Sequence, residues 1–258
     1  MKNPLLLAVF VLGIFLFVAF YAVSSALYKH RHKQKYHFYQ MFPYELNYPS
    51  VFKENTYGNV LFILASFSVA AFYILNPQGS IYKTATLIIA IVFTMVLICL
   101  ILMPLYYLKT HMVLSITTLT LAMALPLFNF FMALSEYRLE VEQTKQVLDI
   151  ISMVISAILA LIMMGLILNP KLSFKIYYRK EIDINGQEVL KRPPVIYLAM
   201  TEWMAIYIYF FSIVPVLLII NVKTSLEYEN LRCEQSHYAM PGEGLHQVFQ
   251  RNQKDYLH

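Results

Sequence analysis

Charge is scarce in this chain. Asp, Glu, Lys and Arg make up 14% of its 258 residues and apolar residues 59%, against about 25% and about 45–50% in soluble domains. A soluble fold would lack the charge to cover its surface, which leaves lipid as the solvent for much of the chain. Cysteine is nearly missing too. Cys99 falls in an apolar run and Cys233 in a polar tail, so there is no disulfide framework, and no CxxC or HExxH metal signature occurs. Seven glycines are too few for a nucleotide-cradling loop or for the flexible gates of many transporters. The sequence holds no GxSxG, no GxxxxGKS or GxxxxGKT, and no paired acidic motif of a lipid-processing enzyme.

What is present is a series of long apolar runs. Six stretches between ionisable residues reach or exceed the roughly 20 residues that cross a hydrocarbon core, and none alternates as a barrel strand does. The reading is an all-α polytopic transmembrane bundle over residues 1–222, with spans at about 4–27, 58–76, 84–108, 112–134, 149–168 and 197–220, and a polar tail over 223–258. The first run is longer than a signal-peptide core, and its positive charge follows the apolar stretch instead of preceding it. It reads as a retained helix with its N-terminus outside.

Alternation then assigns Lys29, Arg31, Lys33, Lys35, Lys53, Lys109, Lys171, Lys175, Arg179, Lys180, Lys191 and Arg192 to the cytosolic side. Only Lys2, Lys83, Arg138 and Lys145 fall on the other side outside the tail. This asymmetry supports the N-out orientation and suits a multi-pass protein of a plasma membrane. It also accounts for the net charge of +5 without nucleic acid. Helices three and four are expected to be joined by little more than Lys109-Thr110-His111. The two larger basic loops run over Tyr28–Tyr57 and Asn169–Pro194.

Ionisable residues inside a bilayer are costly and mark ion or proton pathways. The centres of all six runs lack them, which argues against a proton pump, a charged midplane transport site or a voltage sensor. Glu202 is the nearest exception. The apolar stretch Val195–Ile220 would be about 39 Å long as a helix, so Glu202 is expected at headgroup depth with Trp203 as an interfacial anchor. Pro104, Pro126 and Pro215 fall within spans three, four and six and are expected to kink them. Asn129, one turn after Pro126, needs a partner in the low dielectric. Pro126, Asn129 and Glu202 are therefore the candidate intramembrane polar site. Ser152, Ser156 and Ala160 form a small-residue stripe that suits helix packing.

Outside the membrane, His30, His32 and His37 lie among basic residues that would repel a cation, so no metal or other cofactor is expected. Lys29, Arg31, Lys33, Lys35, Arg179, Lys180, Lys191 and Arg192 read as contacts for anionic lipid headgroups or a membrane-protein partner. Between helices five and six, β-forming residues flank Asn185-Gly186, the preferred two-residue hairpin turn. That turn would set Ile182 opposite Val189 and Asp183 opposite Glu188. Three functions share this architecture: a non-catalytic subunit or scaffold bound to a partner through the basic loops, ahead of a permeation protein for an uncharged or lipid-like solute, and an interfacial lipid enzyme using His37, Glu45 or Glu202.

Overall fold

The computed structural model describes residues 4–47, 53–75, 81–103, 108–140, 143–172, 179–182 and 188–217. Among them are six helices long and apolar enough to cross a membrane, as the run lengths require. In chain order they are α1 (Pro4–His32), α2 (Thr56–Leu75), α3 (Ile81–Ile101), α4 (Leu108–Leu139), α5 (Gln143–Ile167) and α6 (Tyr197–Phe211), with a short 3-10 turn at Pro43–Asn47. The polar tail, 223–258, and Cys233 lie outside the described residues.

Helix ends differ from the expected spans because ionisable residues do not end a helix. α1 continues through Lys29, His30, Arg31 and His32, whose charges complement the carbonyl end of its dipole. Lys33 then closes it in the left-handed region, φ 56°, with its N–H bonded to the Lys29 carbonyl at 3.0 Å. This is the helix-stopping geometry usually given to glycine. Lys109, Thr110 and His111 lie inside α4 and are not a connecting loop. α4 also runs on to Leu139 and α5 starts at Gln143, so both extend past the expected span ends at 134 and 149. α3 stops at Ile101, before Pro104, which lies outside the described residues.

α6 changes character at Ser212. A turn interrupts it, and helix resumes over 213–217. Pro215 explains the break, since its ring clashes with the carbonyl four residues earlier and it has no N–H to donate. The Ser212 carbonyl, at the break, accepts from Tyr73 and Asn129 on neighbouring helices.

α6 is the hub. Of its membrane-spanning window 67% is buried within the protein, against 22% for α1 and 17% for α5. Trp203, Tyr209, Phe210, Phe20, Phe62 and Phe93 are the large side chains enclosed around it. Phe17 stacks on Phe210 at 4.2 Å between ring centroids, and Phe93 meets the Tyr209 ring edge-on at 4.9 Å. α1 and α2 approach closely at Gly58, where a Cβ would lie 2.1 Å from Ser24 Oγ and 2.3 Å from Asn55 Oδ1. Asn55 donates to Ser24 Oγ at 3.0 Å there.

Two four-residue strands, β1 (Arg179–Ile182) and β2 (Glu188–Lys191), pair antiparallel. Their register sets Ile182 opposite Glu188 and Glu181 opposite Val189. This is one residue away from the pairing that a two-residue Asn-Gly turn imposes, and a slip of one residue exchanges the two faces of a ladder. The connecting residues Asp183–Gln187, including Asn185-Gly186, lie outside the described residues. So do the side chains of Arg179, Lys180 and Lys191.

Candidate functional site

The polar groups of the bundle gather on α6. Near its start Glu202 is fully enclosed. Its Oε1 lies 2.8 Å from His111 Nε2 and accepts a short hydrogen bond from Ser115 Oγ. His111 and Ser115 are four residues apart on α4, so one helical face presents both. Phe42 and Tyr44 close the site with their ring edges, each centroid 4.8 Å from the His111 ring. Glu202 Oε2 has no hydrogen-bond partner among the described residues.

Glu202 and Trp203, expected at headgroup depth, are both enclosed by protein. Trp203 is wholly buried and donates its indole N–H to Tyr36 Oη at 2.9 Å and to the Met41 carbonyl at 3.2 Å. Burying the Tyr36 phenol pushes its pKa well above the usual value. A loop, not lipid, satisfies the indole.

At the level of the α6 break, Asn129 is enclosed and donates to the Ser212 carbonyl at 2.8 Å and to Tyr73 Oη at 3.3 Å. Ser152 donates to the Pro215 carbonyl at 3.1 Å. Asn129 therefore satisfies the break at Pro215 in α6, on a different helix from Pro126. Pro126 itself is buried. The two residues are packed by protein, while a cleft of about 300 Å³ lies between α4 and α5, lined by Met123, Leu127, Phe130, Ala157, Ala160 and Leu161 among others. Between the two clusters Tyr209 donates to the Ser66 carbonyl at 3.0 Å and shares a short hydrogen bond with Thr94 Oγ1.

The basic loops are tied to each other. Arg192 grips Glu45 with two bonds, 2.7 and 2.8 Å, the bidentate geometry that only arginine offers a carboxylate. Gln40 donates to the Pro194 carbonyl at 2.7 Å, and the Ile196 N–H to the Tyr39 carbonyl at 2.8 Å. Arg31 turns inward to the Leu46 carbonyl at 2.9 Å and to Glu54 at 3.4 Å. Arg31 and Arg192, expected to contact headgroups or a partner, also brace the loops from within. Lys29, Lys33 and Lys35 are exposed.

His37, Glu45 and Glu202 do not converge. Glu45 goes to Arg192 and Glu202 to His111, while His37 faces Tyr39, with Nδ1 3.4 Å from the phenol. The other histidines diverge as well, His30 being exposed and His32 packed on the Tyr28 ring. The residues missed from the sequence are His111 and Asp149, both buried, because each was taken as the edge of a span. The four-residue spacing of His111 and Ser115 was the available signal.

Comparison with protein families, with characterised proteins and with solved structures finds no match for this chain. The fold and its interior define a multi-pass helical bundle with a polar core, and the functional reading rests on the geometry alone.

Proposed function

We propose that the chain is a non-catalytic subunit or scaffold of a membrane assembly, holding a protein partner at the end of the bundle where α1 ends and α6 begins. The observation that carries this reading is the use made of the loop polar groups. Glu45, Gln40 and Arg192 tie the two loops into one platform, Arg31 braces the first loop from within, and Lys29, Lys33 and Lys35 are exposed on it. A braced platform costs less entropy to dock than two free loops. Exposed lysines add attraction to an acidic partner or to anionic headgroups. The thinly covered outer faces of α1 and α5 suit lipid or neighbouring helices.

In this reading the platform faces the cytosol, the N-terminus lies outside, and the paired strands β1 and β2 extend the docking surface. Native purification in mild detergent, followed by mass spectrometry, tests it. A partner should co-purify with the full chain and be lost when 176–191 are deleted, with the bundle still folded by gel filtration. Association that survives both this deletion and reversal of Lys29, Lys33 and Lys35 to Glu would contradict it.

A further inference from the structure

Some of the enclosed polar residues, such as Ser24 and Asn55, pair between α1 and α2, but another set follows α6 from one end of the membrane-spanning region to the other. At the platform end stands Glu202 with His111 and Ser115. Thr118 comes next on the same face of α4, three residues beyond Ser115, buried and with its hydroxyl unpartnered in the protein. Tyr209 follows with Thr94 and Ser66. Then come Ser212, Tyr73 and Asn129, and Ser152 on the Pro215 carbonyl. One turn before Ser152 on α5 stands Asp149, as fully buried as Glu202.

The two carboxylates sit at opposite ends of this series. Glu202 is five residues inside the start of α6, and Asp149 six residues inside the start of α5, which enters from the other side; each is therefore about 8–9 Å within its helix. Bundles that need only packing avoid buried carboxylates in lipid, because each costs several kcal/mol. Here two are kept, and between them along α6 lie hydroxyl groups that can each accept one proton and give up another. Among the buried atoms without a hydrogen-bond partner in the described residues, Glu202 Oε2, Thr118 Oγ1, Ser66 Oγ and Asn129 Oδ1 belong to this series, and buried polar atoms of this kind are where internal water is held.

We propose that this series is a proton-conducting file through the bundle, with Glu202–His111 as its terminus at the platform end and Asp149 as its terminus at the other. A proton arriving at Glu202 passes along hydroxyls and water to Asp149. Each group receives one proton and releases one, so the protein is unchanged after a passage, and an imposed pH or voltage difference supplies the drive. The inference goes beyond the scaffold reading and does not depend on it.

The test is proton flux in vesicles of neutral phospholipid carrying the purified full chain, with a trapped pH dye and a potassium gradient clamped by valinomycin. The chain should collapse the proton gradient faster than protein-free vesicles do. Glu202→Gln and Asp149→Asn should each return the rate to the protein-free level, and Tyr209→Phe should lower it. Lys83→Gln, which removes the charge of the peripheral ion pair with Glu136, should leave it unchanged. Thr118→Val, which alters no charge, serves if a carboxylate variant fails to fold by gel filtration, and should also lower the flux. Absence of flux from the native chain, or full flux in folded carboxylate variants or in Thr118→Val, overturns the proposal.

Discussion

Removing His111 should destabilise the bundle more than removing both His111 and Glu202. The imidazole lies 2.8 Å from a carboxylate with no solvent exposure, and Ser115 supplies the only other hydrogen bond to that oxygen among the described residues. His111→Leu strands the carboxylate between α4 and α6, and losing one partner of a buried pair costs about 3–5 kcal/mol. Replacing both members, as His111→Leu with Glu202→Leu, removes the stranded group and is close to neutral in comparable sites. At about 2–4 °C per kcal/mol for a chain of this size, the single variant should melt on the order of 10 °C lower. The double variant should recover most of that loss. Trp203 is the sole tryptophan and adjoins Glu202, so thermal unfolding in detergent is read from its own fluorescence. Additive losses, or a single-variant loss under about 1 kcal/mol, the scale of an exposed pair, would refute the coupling.

Three further outcomes follow from the platform. Arg192→Lys keeps the charge but gives up the two-pronged grip on Glu45; because Arg192 is partly exposed, the cost should be about 1 kcal/mol, seen as faster protease cleavage of the 188–196 segment. Lys33→Gly should stabilise the chain by about 1 kcal/mol in a melting experiment, since φ 56° suits glycine better than lysine. Burial holds the Tyr36 phenol above its unfolded pKa near 10, so its contribution is whole below about pH 10 and is lost as pH rises further. Trp203 fluorescence followed through that range should report the loosening, and Tyr36→Phe should abolish it.

The number of spans was legible because lipid leaves a plain mark, long runs without charge. The interior was not, and the reason is physical. Drawing span edges at ionisable residues assumes that water meets every charge, whereas Glu202 is met by His111, ninety-one positions away, and Asp149 is fully buried. Trp203 read as an interfacial anchor by its type, yet Tyr36 and Met41 supply the partner that headgroups would have supplied. Asn129 was singled out for the right reason, an amide in low dielectric needing a partner. That partner proved to be the carbonyl freed near Pro215, beyond what local spacing could reveal. The strand register was missed by one residue because it was derived from Asn185-Gly186 alone.

The alternation of six spans is tested most directly by labelling single cysteines in a cysteine-free background with a membrane-impermeant maleimide. Lys33, Arg138 and Lys171 are exposed at helix ends, so each can be replaced by Cys. Reagent applied from one side should modify positions 33 and 171 together, and 138 only from the other. Modification of 33 and 138 from the same side would contradict the account.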